Sequence, residues 1–211
     1  MAEFQLKHRD TSKLSDYIAY KITQVLKFCL NIFYGKKYAK RAVILETIAA
    51  VPGMVAGMFN HLKALRRMRD DEGWIRELLD EAENERMHLM IFLDIAKPSW
   101  IERLLVLLGQ GVFIVVYSVL YLLSSKIAHR IVGYFEEEAC KSYTEYLEKI
   151  DSGIVDNVDA PEIAIKYYQL PADAKLRDVV LRIREDEAKH RDRNHGFADS
   201  YQAKDLPAHQ S

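Results

Sequence analysis

The chain has 211 residues, of which 49% are hydrophobic, and it contains only 9 glycines and 5 prolines. That length suits one sizeable domain, and so few breaker residues disfavour an all-β fold. The formal net charge of −1 gives no reason to expect a nucleic-acid partner. The two cysteines, Cys29 and Cys140, lack C-x-x-C spacing, which argues against a disulfide framework and against a thiolate metal site.

Apolar periodicity predicts an all-α chain. An amphipathic helix is expected near 13–33, and we assign residues 1–37 to an N-terminal arm that includes this helix. Residues 38–202 are expected to form one helical bundle, and residues 203–211 a C-terminal tail. The bundle helices are predicted near 38–66, 72–97, 99–123, 125–152, 161–169 and 173–202, of which 161–169 is short.

Two of these helices each carry a Glu-x-x-His pair, a spacing that places a carboxylate and an imidazole one turn apart on one helix face. Each pair follows a glutamate in an earlier, apolar helix. One Glu from each of two helices and Glu-x-x-His from each of two others is the ligand set of ferritin-like di-iron and di-manganese bundles. The sequence therefore predicts a ferritin-like four-helix bundle whose metal ligands are Glu46, Glu85, His88, Glu136, Glu187 and His190.

Four carboxylates and two imidazoles are too rich in oxygen for structural zinc and lack the thiolates of an iron–sulfur cluster, so iron or manganese is expected. Burying the carboxylates without metal would be costly, and we therefore expect raised carboxyl pKa values in the metal-free protein.

Three further side chains lie close to the ligands in sequence. Asn84 and Asp186 directly precede the two Glu-x-x-His glutamates and could accept a hydrogen bond from a ring N–H of a ligand histidine. Tyr143 lies two helical turns after Glu136, on the same face, and could donate one electron and a proton. The alternatives are a surface charge for Asp186 and ordinary packing for Tyr143.

Residues 104–123 contain no charged side chain. At about 1.5 Å per residue, a helix of this length could cross the ~30 Å hydrocarbon core of a bilayer. A crossing would separate the ligands before this segment from those after it, so no shared metal pair could form. We therefore expect segment 99–123 to lie on one leaflet or in a dimer seam, with help from the helix near 13–33.

Four motifs resemble those of the alternative oxidases, which are cyanide-insensitive quinol oxidases. They are Leu45-Glu46-Thr47, Asn84-Glu85-Arg86-Met87-His88-Leu89, Glu136-Glu137-Glu138-Ala139 and Arg184-Glu185-Asp186-Glu187-Ala188-Lys189-His190-Arg191. Val51 to Met58 and His129-Arg130-x-x-Gly133-Tyr134 extend the resemblance over about residues 38–200. It implies a ubiquinol:oxygen oxidoreductase that reduces dioxygen to water at a non-haem di-iron centre, pumps no protons and sits on one leaflet as a homodimer.

The resemblance also implies roles for individual residues. The metal ligands fall on the same six side chains, and the redox-active tyrosine falls on Tyr143. The quinol pocket falls on Arg41, Leu45, Glu138, Ala139 and Ser142, and His129 corresponds to a histidine near the metals. Three positions depart from the family pattern: Phe135 and Ser142 replace the usual Leu and Thr, and Tyr168 stands where a tryptophan is common.

Other interpretations remain open. A di-iron hydroxylase of quinone biosynthesis is the main alternative enzyme, followed by a plastoquinol terminal oxidase and by an iron-storage bundle. Residues 1–10 lack a recognisable leader, which favours the cytoplasmic face of a bacterial inner membrane over the matrix face of the mitochondrial inner membrane. Glu137, Arg191 and His195 are interpreted as surface side chains.

Overall fold

The computed structural model describes residues 6–34 and 38–204, which form seven α-helices and no strand. The helices are α1 (Leu14–Tyr34), α2 (Tyr38–Arg67), α3 (Trp74–Ala96), α4 (Trp100–Leu123), α5 (Ser125–Asp151), α6 (Glu162–Tyr168) and α7 (Leu176–Lys204). Every predicted helix is confirmed, with ends within about three residues of those expected. Of the predicted tail, residues 205–211 lie outside the described part, as do residues 35–37 at the predicted boundary of the bundle.

The bundle consists of α2, α3, α5 and α7. Helix α2 packs along α3, and α5 packs along α7. Buried side chains from all four helices join the two pairs into one core, so the predicted all-α four-helix bundle is confirmed. These side chains include Ala42, Val43, Ile91, Phe92, Tyr143, Tyr146, Leu147, Val179, Val180 and Ile183.

A glycine allows α2 and α3 to pack closely against each other. A Cβ atom at Gly53 would lie 2.4 Å from the backbone oxygen of Leu78 and 3.1 Å from the Cβ of Ala82. Only glycine allows so close an approach of two backbones. The contact fixes α2 against α3, the two helices that carry the first half of the predicted ligands.

Helix α4 lies outside the bundle, against α2 and α5. It begins at a capping box in which Ser99 and Glu102 satisfy each other's backbone N–H groups, at 2.7 and 3.3 Å. Tyr117 and Tyr121 are its buried residues. Its exposed apolar side chains are Trp100, Ile101, Leu104, Leu105, Leu107, Leu108, Val112, Ile114, Val115, Val116, Val119, Leu122 and Leu123.

Helix α1 packs against α5 on the same side of the bundle and also exposes apolar side chains. They are Leu14, Tyr17, Ile18, Ile22, Val25, Leu26 and Phe28. We call these side chains, together with the exposed apolar side chains of α4, the apolar face.

Two helices in the described residues, α2 and α4, are long and apolar enough to cross a membrane. In α2, 61% of the most apolar stretch is buried inside the protein, as befits a core helix of the bundle, whereas in α4 only 11% is buried. Length and apolarity alone do not distinguish a helix that crosses a membrane from one that lies on its surface.

Candidate metal centre

Acidic and imidazole side chains from all four bundle helices meet inside the core. The ligand atoms of four of them lie within 4.8 Å of one another: Glu46, Glu85, His88 and Glu187. The other two predicted ligands adjoin this group, and none of the six is more than 4% exposed. α2 supplies Glu46, α3 supplies Glu85 and His88, α5 supplies Glu136, and α7 supplies Glu187 and His190.

The Nδ1 atoms of both histidines face the carboxylates. His88 Nδ1 lies 3.4 Å from Glu46, 3.5 Å from Glu85 and 3.3 Å from Glu187. His190 Nδ1 lies 2.5 Å from Glu85 and 3.8 Å from Glu187. The spacing of one helical turn within each Glu-x-x-His pair therefore brings its imidazole and carboxylate to one place, as its periodicity predicted.

The donor atoms at this centre lack ordinary hydrogen-bond partners. Within the described part of the chain, seven buried atoms of the centre make no hydrogen bond: Glu46 Oε2, both carboxylate oxygens of Glu85 and of Glu187, and Nδ1 of His88 and of His190. Buried polar groups normally have hydrogen-bond partners. Here unpaired carboxylate oxygens and imidazole nitrogens face one small volume, where a bound cation would supply the missing partner. The donor set therefore fits iron or manganese.

The carboxyl pKa values at this centre shift in two directions. Burial raises the pKa of Glu46 and Glu136 well above the usual value, and the charges of Glu187 and Glu85 raise them further. These two residues behave as the sequence led us to expect.

The same expectation is wrong for the two glutamates of the Glu-x-x-His pairs. Burial alone would raise the pKa of Glu85, but the positive charge of His190 lies so close that it holds that pKa well below the usual value. Burial and the charge of Glu85 likewise act to raise the pKa of Glu187, and its contacts with His190 and His88 lower it instead. The compensating charge for Glu85 thus comes first from the histidine of the other pair, which the spacing alone did not reveal.

Tyr143 reaches the centre from α5. Its hydroxyl donates a hydrogen bond to Oε1 of Glu46, and its ring stacks on Phe92 with centroids 5.8 Å apart. Burial and the charge of Glu46 raise the pKa of Tyr143 well above its usual value. The phenol therefore keeps its proton unless an electron leaves with it.

A second layer of side chains surrounds His88. Its Nε2 lies 2.9 Å from the hydroxyl of Tyr168, which donates to Asp186 at 2.9 Å. Asn84 also donates to Asp186, at 3.3 Å, and to the hydroxyl of Tyr167, at 2.7 Å. The two predicted neighbours of the ligands are thus present, but a tyrosine stands between Asp186 and the histidine.

His129 lies among aromatic rings and makes its hydrogen bond to Asn194. The Nδ1 of His129 is 3.0 Å from Oδ1 of Asn194, whose amide donates to Glu81 at 2.7 Å. Burial lowers the pKa of His129 to about 4 and raises the pKa of Glu81 to about 7. At neutral pH His129 is therefore an uncharged member of a buried network. The rings around it belong to Trp74, Tyr121, Phe197 and Tyr201.

We expect the protonation of His129 to make the unfolding free energy of the protein depend on pH. Its pKa falls from 6.5 to about 4 on folding, so its contribution is present above pH 6.5 and is lost as the pH falls through 4. Relative to His129→Gln, the metal-free wild type should lose about 2–3 kcal/mol more unfolding free energy between pH 7.5 and 4.5. Urea unfolding at both pH values measures this difference, and equal losses in the two proteins would contradict it.

A cavity of about 220 Å³ adjoins the candidate metal centre. Its lining is mainly apolar but includes Tyr143 and three of the centre's four glutamates. The cavity residues are Thr23, Leu26, Lys27, Arg41, Leu45, Glu46, Ile48, Ala49, Pro52, Phe113, Val132, Phe135, Glu136, Glu138, Ala139, Tyr143 and Glu187. Of the five residues predicted for a quinol pocket, Arg41, Leu45, Glu138 and Ala139 are in this set and Ser142 is not.

The part of the cavity wall that α1 supplies was missed from the sequence. Lys27 of α1 forms an ion pair with Glu138, and Lys141 donates to the same carboxylate at 2.9 Å. Burial opposes the charge of Glu138, but the two lysines hold its pKa below the usual value, so this carboxylate stays ionised. No local pattern indicates such a contact, because it depends on how α1 docks against a helix more than a hundred residues away.

Three residues interpreted as surface side chains are in fact buried, so that interpretation was wrong. Glu137, Arg191 and His195 are 2%, 3% and 8% exposed. The N-terminal arm covers Glu137, which accepts hydrogen bonds from the backbone N–H of Arg9 at 2.8 Å and from Nε2 of His195 at 3.0 Å. Glu137 is therefore buried because the N-terminal arm, which is distant in sequence, docks over it.

A four-helix bundle with these buried side chains has the arrangement of the carboxylate-bridged di-metal proteins. Comparison with known proteins is more specific: the alternative oxidase family model matches residues 1–199, so the chain belongs to the alternative oxidase family. The resemblance noted in the sequence is thus confirmed.

Three mitochondrial relatives illustrate the similarity. Ubiquinol oxidase 2 of Nicotiana tabacum is 55% identical over 96% of this chain and 69% of its own length. Ubiquinol oxidase 2 of Glycine max is 54% identical, over 95% of this chain and 60% of its own length. Ubiquinol oxidase 1c of Arabidopsis thaliana is 52% identical, over 96% and 63% respectively. The chain therefore spans only about two thirds of the length of these relatives.

Proposed function

We propose that the chain is a cyanide-insensitive, non-proton-pumping ubiquinol:oxygen oxidoreductase that reduces dioxygen to water. One observation carries the proposal: a buried cluster of metal-ligand side chains opens directly into a mainly apolar cavity. The relatives named ubiquinol oxidase support the choice of reductant. The proposed ligands of two irons are Glu46, Glu85, His88, Glu136, Glu187 and His190.

Iron bound at this centre would supply the one-electron chemistry that dioxygen reduction requires. Two quinols release four electrons and four protons, and one dioxygen takes up four of each to give two waters. The reaction therefore balances without protons from either side of a membrane.

Within this proposal Tyr143 donates one electron and one proton. Its hydroxyl hydrogen bond to Glu46 gives the departing proton an acceptor at Oε1. The same tyrosine lines the cavity, so a quinol bound there can restore both the electron and the proton.

The cavity is proposed to bind the quinol head group. Arg41 has a buried Nε with no hydrogen-bond partner in the described residues, and this donor suits a quinone oxygen. Glu138, ionised between two lysines, can accept a hydroxyl hydrogen of the quinol. Leu45 and Ala139 offer apolar contact to the ring, and Ser142, outside the cavity wall, remains a prediction.

We propose a monotopic attachment to one leaflet through the apolar face. If α4 crossed the bilayer, α3 and α5 would leave it on opposite sides, yet both carry side chains of the same buried centre. The cavity lies between α1, α2 and α5 and reaches Phe113 of α4, so the quinol can enter from the hydrocarbon.

The location and assembly of the protein are also proposals. The mitochondrial names of the relatives favour the matrix face of the mitochondrial inner membrane over a bacterial inner membrane. A homodimer, implied by the family resemblance, is supported by apolar side chains that α2 exposes away from the core, among them Met54, Met58 and Leu65.

The test is oxygen uptake by the iron-loaded protein with a short-chain ubiquinol in the presence of cyanide. We expect uptake of one dioxygen per two quinols with the quinone ring unaltered, and Arg41→Gln should raise KM for the quinol about tenfold or more. Arg66→Gln, an exposed charge later in α2, is the matched control and should leave KM unchanged. Uptake blocked by cyanide would overturn the proposal, and a hydroxylated ring product would favour the hydroxylase instead.

A further inference from the structure

Tyr168, the last residue of α6, stands between a candidate metal ligand and an acidic side chain. Its hydroxyl oxygen is 2.9 Å from Nε2 of His88 and 2.9 Å from Oδ2 of Asp186. The direct distance from His88 Nε2 to Asp186 is 3.6 Å, which is too long for a hydrogen bond. The phenol therefore connects the two groups.

The direction of the two hydrogen bonds follows from the number of hydrogens. A phenol has one hydrogen, and an ionised carboxylate can only accept, so Tyr168 donates to Asp186. The phenol oxygen then accepts from the histidine, which places the ring hydrogen of neutral His88 on Nε2. The lone pair of His88 is left on Nδ1, the atom that faces the three carboxylates at 3.3–3.5 Å.

The position of Tyr168 is well fixed. Helix α6 is anchored by Ala164, which is fully buried, and Tyr168 itself packs against the bundle core together with Ile163. His88 is also fully buried, so its ring cannot turn to water. A tryptophan at this position could donate to Asp186 but could accept nothing from His88.

We propose that Tyr168 is a positioning residue, which holds His88 in the tautomer and ring orientation that offer Nδ1 to a metal. The inference rests on the proposed function in one respect, namely that His88 binds metal. The connection between α5 and α7 contains no proposed metal ligand. Through Tyr168 it would nevertheless help to determine how firmly the metal is held.

The test compares Tyr168→Phe with Tyr167→Phe in otherwise full-length protein loaded with ferrous iron. Both variants lose one phenolic hydroxyl, but Tyr167 contacts Asn84 and not the histidine. We expect Tyr168→Phe to hold iron about 10–100-fold more weakly against a competing chelator, whereas Tyr167→Phe should stay within about twofold of wild type. The visible spectrum of the cobalt-substituted protein, which reports the ligand field, should change only in Tyr168→Phe.

A third variant separates positioning from simple loss of packing. In Asp186→Asn the amide oxygen can still accept from Tyr168, so we expect a smaller loss of iron affinity than in Tyr168→Phe. The double variant, with both Asp186→Asn and Tyr168→Phe, should bind iron almost as tightly as Tyr168→Phe alone, because the single variant has already lost the connection between His88 and Asp186. Circular dichroism of the metal-free variants checks that each one folds.

The outcomes distinguish the inference from the proposed function. Wild type that binds iron, with Tyr168→Phe indistinguishable from Tyr167→Phe in affinity and spectrum, would overturn the inference alone. Wild type that holds no iron at all would overturn the proposed function and the inference with it.

Discussion

Glu136→Gln is expected to lower the turnover number for ubiquinol oxidation by about a thousandfold or more while making the metal-free protein harder to unfold at alkaline pH. The loss of activity follows because the proposed metal pair loses one carboxylate ligand and one compensating negative charge. Glutamine keeps the size of the side chain, so packing of the core around α5 should change little.

The gain in stability follows from the direction of a pKa shift. Burial, together with the charges of Glu187 and Glu85, raises the pKa of Glu136. A carboxyl group with a raised pKa contributes stability below its ordinary pKa, and this contribution is lost as the pH rises through the folded-state value. Glutamine cannot ionise, so the variant should escape that loss, and urea unfolding in a chelator at pH 6 and pH 8.5 measures it.

The matched control is Glu145→Gln, which changes an exposed glutamate later in the same helix. It should leave both turnover and the pH dependence of unfolding unchanged. Full turnover in Glu136→Gln would exclude this side chain from the metal centre. If the unfolding free energy of this variant depended on pH as it does in wild type, the raised pKa of Glu136 would be contradicted.

Substitutions on the apolar face are expected to weaken attachment of the protein to a membrane. Leu108 and Val115 lie seven residues apart in α4, about two helical turns, and are 58% and 63% exposed. If they insert into one leaflet, each contributes about 1.5–3 kcal/mol to attachment. Replacing both by glutamate should therefore weaken partitioning to phosphatidylcholine vesicles about a hundredfold or more, as measured by sedimentation without detergent.

The control for this prediction places two glutamates on a different surface. Ile154 and Val158 are also exposed, at 68% and 47%, but they lie in the loop after α5. Ile154→Glu with Val158→Glu should not change partitioning. Equal partitioning of wild type and the α4 variant would contradict the monotopic attachment.

The sequence was most informative where the decisive spacing is local. The Glu-x-x-His pairs lie within single helical turns, so their faces could be predicted, and their meeting followed from a known ligand order. Helix ends were equally accessible, since each predicted end lies within about three residues of the observed one.

What the sequence did not reveal depends on docking between distant segments. Lys27 reaches Glu138 across 111 positions, and Arg9 reaches Glu137 across 128. Tyr168 was noticed only as a departure from a family pattern, because its role depends on how α6 returns against α3. The opposite pKa shifts of the carboxyl groups likewise required the placement of each imidazole.

Six side chains from four helices are proposed to hold two irons, and iron analysis combined with Mössbauer spectroscopy can count these irons and detect their coupling. Fully loaded wild type should contain two irons per chain in an exchange-coupled pair, and Glu136→Gln should lose that pair. A single iron per chain, or two irons without magnetic coupling that survive in Glu136→Gln, would contradict this proposal.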